Sequence, residues 1–386
     1  MKRLDIADLL AGAGGTTSGA VEAAERLGYQ PRVTCVNHWE RATNTIEFNH
    51  PDARVRRACI QTTEPLSLFR RGGLDILVAS PECRMHSDAR NPEAPIDEAS
   101  RATAHCVPRW MDALEPVCAL SENVPRFVKW GGKKRDGSAF RAWLAMCEAS
   151  GPGYRSDYRV LCAADYGDPT TRERVIVQFQ RGRRKIVWPN PTHAEAGAGG
   201  LLPWIPAFDI IDWSITGESI FDRARPLAAN TMARIMSGIV RFNGPWLLPQ
   251  HQGGVLRPVS LPVPTVTTDG AIALIEPFLV TYYGTGGPRS VRKPLDTVTT
   301  HDRFGLVQSK VVADGGRQYV DVTHRMLRPK ELALAQGFHP AYRFDGNETE
   351  QKILIGNAVP RNMARALVLA AWSQQADVSQ WMKEAA

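Results

Sequence analysis

Short apolar runs alternate with segments of helical spacing through the first half of the chain. The runs that predict strands are Leu4–Leu10, Arg32–Trp39, Leu74–Ser80, Val117–Val124, Tyr158–Ala163 and Arg174–Gln180. Between them, the apolar spacing predicts helices over Thr17–Leu27, Arg41–Asn49, Ala99–Leu114 and Ser138–Ala149. Such alternation is typical of βαβ units, so we expect an α/β fold with a doubly wound, mostly parallel sheet. Ligands of such sheets bind at the carboxyl ends of the strands.

The pattern changes after Trp188-Pro189-Asn190-Pro191. From about residue 193 to 319 the chain is rich in Pro, Gly and Thr with short β-like runs, and helical spacing returns from Arg325 to the C-terminus. We therefore predict an α/β domain over 1–192, a smaller β-rich module over 193–319 inserted into it, and a segment over 320–386 that completes the first domain.

Composition adds exclusions. The 386 residues include 43% hydrophobic and 23% charged residues, as in ordinary globular proteins. No apolar run approaches the roughly 18 residues of a membrane span, and Met1-Lys2-Arg3 leads into a strand-like segment rather than a signal peptide. The seven cysteines form no C-x-x-C pair, so we expect no metal site and no disulfide framework, as befits the reducing cytoplasm. The net charge of +7 slightly favours a polyanionic partner.

The first strand runs into a glycine-rich turn, Asp8-Leu-Leu-Ala-Gly-Ala-Gly-Gly15, before a helix. Glycines allow a ligand close to the backbone and to the N–H groups at the helix start. The dinucleotide pattern G-x-G-x-x-G is not met, because Thr17 occupies its third glycine position. The turn indicates either a ligand site or only a tight connection.

The third and fourth strands also end in reactive side chains. Cys83 lies in Ser80-Pro-Glu-Cys-Arg-Met-His-Ser87, where Arg84 and His86 would favour its thiolate, although a lone Cys is more often a small buried residue. Glu122 lies in Ser121-Glu-Asn-Val-Pro125 and is either a general acid or a surface cap.

A polar stretch of nine residues, Tyr166-Gly-Asp-Pro-Thr-Thr-Arg-Glu-Arg174, contains two arginines two positions apart. In an extended chain Arg172 and Arg174 share a face, so we expect them to grip an anion.

In this order the motifs resemble those of the cytosine-5 DNA methyltransferases. The family's D-L-F-x-G-x-G-G is similar to Asp8–Gly15 with Leu10 for Phe, its G-G-P-P-C-Q-x-F-S to Ala79–Ser87, its E-N-V to 122–124, and its P-Q-x-R-x-R to 169–174. Near the C-terminus, 325–331, 334–338 and 356–360 resemble its R-x-L-T-P-R-E, L-Q-G-F and G-N-S-V-P. The resemblance covers about 1–192 and 320–386, and the middle module corresponds to the family's variable target-recognition domain.

The resemblance implies a Rossmann-like, S-adenosylmethionine-dependent methyltransferase that acts on a flipped-out cytosine of double-stranded DNA as a monomer, without a metal. Cys83 would attack carbon 6, Glu122 would hold or protonate N3, and Arg172 and Arg174 would hold the base carbonyl and the catalytic loop. Carried over motif by motif, the implied substrate or loop residues are Arg84, His86, Ser87, Asn123 and Val124, with Arg84–His105 as the closing loop. The implied cofactor residues are Asp8, Leu10, Gly12, Gly14, Gly15, His38, Trp39, Glu40, Cys59, Ile60, Pro81, Asn357 and Val359.

Departures from the family pattern at five positions bear on the cofactor and the loop. His38 stands where the family has a ribose-binding acid, with Glu40 two positions on, and Cys59 stands where it has an adenine-contacting Asp. Around the nucleophile Arg84 and His86 replace Gln and an aromatic residue, and Thr170 replaces the Gln before the arginines. These changes indicate either drift in a divergent, bacteriophage-type branch or a donor with an extra negative group, such as carboxylated S-adenosylmethionine.

Other hypotheses stay open. The same chemistry on RNA, transfer of a larger group from the modified donor, and a silent DNA-binding relative are the alternatives to a DNA methyltransferase of restriction-modification type. Within the middle module, Pro262-Val-Pro-Thr-Val-Thr-Thr268 recurs as Pro294-Leu-Asp-Thr-Val-Thr-Thr300. The repeat predicts either a hairpin device that builds the module or a direct contact to DNA.

Overall fold

A computed structural model of the protein describes residues 2–82, 98–131, 135–182, 184–241, 246–249, 257–258, 272–274, 277–282, 286–314 and 317–373. The helices are α1 (Gly15–Arg26), α2 (Glu40–Asn49), α3 (Glu98–Leu114), α4 (Ser138–Glu148), α5 (Ala229–Arg241), α6 (Pro329–Ala335), α7 (Glu348–Asn357) and α8 (Arg361–Ser373). Within these ranges, no helix combines the length and the apolar character that crossing a membrane requires.

The described chain separates into two compact units. The larger unit contains residues 1–205, 296–300 and 333–386, and the smaller unit contains 206–295 and 301–332. These limits lie later in the chain than the limits at 192 and 319 drawn from composition. At the first one, Trp204 donates its indole N–H to Asp165 at 3.0 Å, which ties the stretch before residue 206 to the larger unit.

The larger unit is built on a mostly parallel sheet. Its strands are β1 (Lys2–Leu9), β2 (Tyr29–Asn37), β3 (Arg54–Arg57), β4 (Ile76–Ala79), β5 (Cys118–Asn123), β6 (Tyr154–Cys162) and β7 (Glu173–Arg181), in the order β3-β2-β1-β4-β5-β7-β6. Only β7 runs antiparallel to its neighbours. A short pair, β8 (His193–Ala194) and β9 (Leu202–Pro203), follows. The predicted α/β class and the strands and helices of the first half are confirmed.

Two apolar layers cover the sheet because side chains alternate along each strand. Leu4 and Ile6 of β1 pack in a cluster with buried residues of α1 and α8, whereas Ala7 and Leu9 pack with those of α3 and α4. Period-two alternation with both faces apolar is what a central parallel strand requires. The strand order reverses between β1 and β4 at the middle of the sheet, and such a reversal is where folds of this kind bind ligands.

Strand β3 was missed by the hydrophobic pattern. Its sequence, Arg-Val-Arg-Arg, is largely exposed and pairs only with β2 at the sheet edge among the described residues. An edge strand exposes polar side chains, so it carries little periodic apolar signal.

The smaller unit contains antiparallel strands. These are β10 (Glu218–Ser219), β11 (Trp246–Pro249), β12 (Arg257–Pro258), β13 (Ile272–Leu274), β14 (Phe278–Thr281), β15 (Pro288–Ser290), β16 (Phe304–Asp314) and β17 (Arg317–Met326). Of these, β16 and β17 are the longest, with 11 and 10 residues. They form one sheet in the order β10-β17-β16-β14-β15 and another in the order β12-β11-β13. Ile235 of α5 packs in a cluster with Phe278, Val280 and Val307.

A buried ion pair closes the end of this unit. Arg325 donates through both terminal nitrogens to Glu331, at 2.8 and 2.7 Å, and Glu331 also accepts the backbone N–H groups of Asp212 and Arg328. Bidentate pairing of this kind satisfies a buried carboxylate fully. The family-like residues Arg325 and Glu331 therefore have a structural role here.

Candidate active site

The glycine-rich turn follows β1 at the carboxyl edge of the sheet. Leu10 and Gly12 have positive φ values of 59° and 55°. A Cβ at Gly15 would overlap the carbonyl oxygen of Val359, whereas a Cβ at Gly12 would meet no atom closer than the carbonyl oxygen of Leu10 at 3.9 Å. Gly15 is thus required by packing, and Gly12 leaves open space for a ligand beside the turn.

Asp8, at the end of β1, is buried at 1% exposure. Its Oδ2 accepts a hydrogen bond from the Thr17 hydroxyl at 2.7 Å, while Oδ1 has no hydrogen-bond partner among the described residues. Burial raises the pKa of Asp8 to about 7. An open glycine turn above a buried acceptor fits a polar, cationic ligand group, which is what the methionine end of S-adenosylmethionine would present.

Two side chains that sequence reasoning missed brace this turn. The Tyr342 hydroxyl donates to the carbonyl oxygen of Ala13 at 2.7 Å, and the Ser18 hydroxyl donates to that of Gly14 at 2.8 Å. Burial raises the pKa of Tyr342, in keeping with its role as a donor. Neither residue belongs to one of the quoted motifs. Tyr342 is far from the turn in the sequence, and only the fold brings it there.

The residues after β2 line the next position along the sheet edge. His38 is exposed and Trp39 is half-buried. The backbone N–H of Trp39 donates to Asn37 Oδ1 at 2.8 Å. Glu40 is exposed and forms an ion pair with Arg57 Nη1 at 2.5 Å. The carboxylate two positions after His38 is thereby held beside the end of β3.

The turn after β3 carries Cys59 and Ile60. Cys59 is half-buried and Ile60 is buried. The carbonyl oxygen of Ile60 accepts hydrogen bonds from Trp110 Nε1 at 3.0 Å and from Arg109 Nη2 at 2.5 Å, both on α3. The turn predicted to contact the adenine is thus hydrogen-bonded to α3.

Hydrogen bonds hold the two residues that lie between Ser80 and the predicted nucleophile, Pro81 and Glu82. Asn123 Nδ2 donates to the carbonyl oxygen of Pro81 at 3.2 Å, and the N–H of Glu82 donates to the Thr103 hydroxyl at 3.0 Å. The N–H of Val124 donates to Asn123 Oδ1 at 2.9 Å, which orients that amide. The predicted nucleophile Cys83 and the predicted loop residues Arg84, His86 and Ser87 lie outside the described residues.

Glu122 and Arg174 meet at the ends of two neighbouring strands. Arg174 Nε lies 2.7 Å from Glu122 Oε1, and the two side chains are 9% and 13% exposed, in that order. β5 and β7 are antiparallel with Asn123 opposite Val175, which places Arg174 just beyond the end of β5. This pair lies next to Asn123, whose amide holds Pro81.

Arg172 serves different partners from Arg174. It is buried, Nη1 donates to the carbonyl oxygen of Val298 at 2.5 Å, and Nη2 donates to that of Gly356 at 3.0 Å. The expectation that both arginines grip one anion is therefore corrected. β7 begins at Glu173, so the strand alternation that would put the two side chains on one face does not extend to Arg172.

Most of one copy of the repeat, residues 296–300, belongs to the larger unit, which the sequence did not predict. Residues 296–300 lie in that unit, where the Thr170 hydroxyl donates to the carbonyl oxygen of Asp296 at 3.0 Å. A Cβ at Gly356 would overlap the backbone of Thr299. The repeat was the sequence signal that could have drawn attention to this segment. Its other copy, Pro262–Thr268, lies outside the described residues.

The last predicted residues lie at the end of α7 and just after it. Asn357 is exposed and Val359 is buried with its backbone against Gly15. Among the described residues there is no cluster of three or more His, Cys, Asp or Glu side chains that would hold a metal ion.

Comparison with known proteins agrees with this arrangement. The sequence is 27% identical over 202 residues to the type II methyltransferase M.AgeI of Thalassovita gelatinovora, covering 50% of this chain and 44% of that protein. It is 29% identical over 198 residues to M.AquIA of Picosynechococcus, covering 48% and 75%. The chain thus spans about half the length of several relatives that it matches.

Solved structures share the fold. EhMeth of Entamoeba histolytica aligns with a TM-score of 0.59 at 12% identity, covering 97% of this chain and 99% of that one. A DNMT2 variant of Spodoptera frugiperda aligns with a TM-score of 0.56 at 15% identity, covering 96% and 99%. The family description "C-5 cytosine-specific DNA methylase" matches residues 4–196 and 280–371. Because that match takes in more than half of the residues, the chain belongs to the C-5 cytosine-specific DNA methylase family.

Proposed function

We propose that this protein is a DNA cytosine-5 methyltransferase that uses S-adenosylmethionine. The observation that carries the proposal is the Glu122–Arg174 ion pair, 2.7 Å long and nearly buried, beside the backbone that leads into Cys83. The glycine turn, with its open side at Gly12, lies at the end of β1, and β4 is the next strand in the sheet. Glu122, the glycine turn and the described residues Pro81 and Glu82 before Cys83 all lie at or just after the carboxyl ends of strands of one sheet, and this placement supports the proposal.

The chemistry assigned to the residues follows from cytosine itself. Addition of the Cys83 thiolate to carbon 6 forms the S–C6 bond and moves the electron pair of the 5,6 double bond toward carbon 5, which becomes nucleophilic. Arg174 binds Oε1 of Glu122, so we assign Oε2 to N3 of the base, where a shared proton relieves the negative charge of the ring. Once carbon 5 has bonded to the transferred methyl group, a water molecule takes the carbon 5 proton, and the 5,6 double bond re-forms as the S–C6 bond breaks and releases the thiolate.

The cofactor supplies a methyl group from its sulfonium when bound. Asp8, Leu10, Gly12, Gly14 and Gly15 would hold its methionine end together with Asn357 and Val359, and Trp39, Cys59, Ile60 and Pro81 would surround its nucleoside. We further propose that Glu40, held by Arg57, provides the ribose-binding carboxylate in place of the acid that His38 replaces. Ordinary S-adenosylmethionine is the proposed donor. Arg57, the exposed arginine beside Glu40, is already paired with that carboxylate and so does not select a donor that carries an additional negative group.

The proposed substrate is double-stranded DNA whose target base is flipped out of the stack, since the reactive carbons are inaccessible within a duplex. We assign target recognition to the smaller unit and propose a monomer that works in a prokaryotic cytoplasm, as part of a restriction-modification system. A bacteriophage-type branch remains a prediction from the departures at His38, Cys59, Arg84 and His86.

The test is the mass of the product. The full-length protein would be incubated with unmethylated duplex DNA, transfer RNA or neither, and with S-adenosylmethionine or its carboxylated analogue, followed by digestion to nucleosides. We expect deoxycytidine heavier by one methyl group, only with DNA and the ordinary donor. A methylated RNA nucleoside would favour the RNA methyltransferase instead, and a heavier adduct only with the analogue would favour transfer of a larger group. If no product forms with any combination, a catalytically inactive DNA-binding protein would be favoured.

Variants tie the product to the site. Cys83→Ser should abolish transfer while binding of DNA persists, because the hydroxyl is a far weaker nucleophile at neutral pH. Cys162→Ser changes a half-buried cysteine outside the site and should keep wild-type activity. Full activity of Cys83→Ser would overturn the covalent mechanism.

A further inference from the structure

Arg172 joins two backbone segments that are far apart in the sequence. Its guanidinium donates to the carbonyl oxygen of Val298 on one side and to that of Gly356 on the other. The Arg172 side chain is buried at 2% exposure, so these bonds are made away from water, where losing one leaves a carbonyl unsatisfied. A buried arginine in this arrangement has little freedom to reach a substrate.

The Gly356 side of this connection leads to the cofactor turn. Gly356 lies three residues before Val359, whose carbonyl oxygen packs so closely on Gly15 that a Cβ there would overlap it. The same stretch is held by Gln336, whose amide donates to the carbonyl oxygen of Ile355 at 3.0 Å. The backbone that Arg172 binds is therefore continuous with the backbone that packs on the glycine turn.

The Val298 side leads to the smaller unit. Residues 296–300 belong to the larger unit, but the chain on both sides of them, 206–295 and 301–332, belongs to the smaller one. Arg172 and Thr170 hold this five-residue segment at two carbonyl oxygens, those of Val298 and Asp296. Through this segment the chain of the smaller unit passes into the larger unit and back again.

We propose that Arg172 is a positioning residue that couples cofactor binding to DNA binding, rather than a residue that touches the base. The proposal rests on the proposed function, because it takes the smaller unit as the DNA-binding part. Coupling of this kind is reciprocal: a cofactor that tightens DNA binding is itself bound more tightly in the presence of DNA. Lysine cannot replace Arg172, since one ammonium group lacks the planar fork that reaches both carbonyls.

The experiment measures the dissociation constant of a duplex with and without saturating S-adenosylhomocysteine, for the wild-type protein and for Arg172→Lys. We expect the cofactor product to tighten DNA binding by about fivefold or more in the wild-type protein, the lower end of common couplings. In Arg172→Lys the factor should fall close to one, while S-adenosylhomocysteine binding without DNA changes little. An unchanged factor in Arg172→Lys, or a factor of one in the wild-type protein, would overturn the proposal.

Two further variants separate coupling from folding and from function. Arg181→Lys alters another arginine that donates to a backbone carbonyl, that of Glu115, at the opposite end of β7, and should keep the wild-type factor. If Arg172→Lys does not fold, Thr170→Val removes only the hydrogen bond to Asp296 and should lower the factor partly. Absence of methylated DNA with the wild-type protein would count against the proposed function, whereas methylation with unaltered coupling in the variants would count against the role of Arg172 alone.

Discussion

At the scale of residues, identical side chains two positions apart have different roles. Arg174 pairs with Glu122, the proposed acid, whereas Arg172 binds the carbonyl oxygens of Val298 and Gly356. Motif matching identifies both arginines and cannot separate them, because the partner of each is supplied by a distant part of the chain.

Glu122 is expected to be essential for rate rather than for folding. Glu122→Gln keeps the size of the side chain but removes the proton that relieves charge on the ring, so methyl transfer in a single turnover should slow by about 10²- to 10⁴-fold. Binding of S-adenosylhomocysteine should stay at the wild-type level. Glu173→Gln, an exposed neighbour of Arg174, is the control, and equal rates for both variants would remove Glu122 from the acid role.

Glu40 should determine recognition of the ribose. Glu40→Gln should weaken binding of S-adenosylhomocysteine by about tenfold, as for the loss of a hydrogen bond to a charged group. It should not weaken binding of the 2′-deoxy analogue, which lacks the hydroxyl that the carboxylate would accept from. Calorimetric titration of both ligands measures this, with Glu47→Gln on the same helix as the control. Equal losses for the two ligands would contradict the assignment.

Asp8 makes the stability of the ligand-free protein depend on pH. Burial raises its pKa from 3.8 to about 7, so between these values the folded state keeps a proton that the unfolded chain releases. The free energy of unfolding therefore contains a contribution that is largest below pH 4 and is lost as the pH rises through about 7. Asp8→Asn, which does not titrate, should gain stability relative to the wild-type protein from pH 5 to pH 8.

Urea unfolding at several pH values in this range measures that difference. Asp52→Asn, at an exposed position in the same unit, should run parallel to the wild-type protein. A constant difference between Asp8→Asn and the wild-type protein would show that Asp8 is ionised throughout.

At the scale of elements, helix α8 is capped by a residue from another part of the chain. Asp168 accepts the N–H of Asn362 at 3.1 Å and that of Met363 at 2.9 Å, and it is fully buried. The helix begins after Pro360 and buries Met363, Leu367 and Val368 in the layer that it shares with α1. Since the first N–H groups of a helix have no partner within the helix, this carboxyl stabilises its start.

Removing the cap should weaken the larger unit. Asp168→Ala is expected to lower the free energy of unfolding by about 2 kcal/mol, the upper range for a lost cap, because the two N–H groups stay buried. Asp168→Asn retains one acceptor oxygen and should fall between the two. Thermal and urea unfolding provide the measurement, and equal stability of all three proteins would exclude a capping role.

At the scale of the whole molecule, the net charge of +7 matters for a partner that is a polyanion. If the protein binds DNA, contacts to phosphates release counterions, and affinity falls with rising salt. Raising the salt from about 50 to 200 mM should weaken duplex binding by at least about tenfold, the loss that two phosphate contacts produce. Binding of S-adenosylhomocysteine over the same range is the control and should change little. DNA binding that is indifferent to salt would contradict a phosphate-based interface.

The sequence alone determined the helices and most of the strands in the first half of the chain, together with the family motifs, because both signals are local. Alternating apolar runs identify β1, β2, β4 and β5, and the Glu122-Asn-Val and Asp8–Gly15 motifs can be recognised within a few residues. Only the tertiary structure decided that Glu122 pairs with Arg174 and that Arg172 holds residues 296–300. It also assigned residues 296–300 to the larger unit. These pairings join residues separated by tens to hundreds of positions, and hydrogen-bond partners at such separations are chosen by the packing of strands and loops, which local periodicity does not encode.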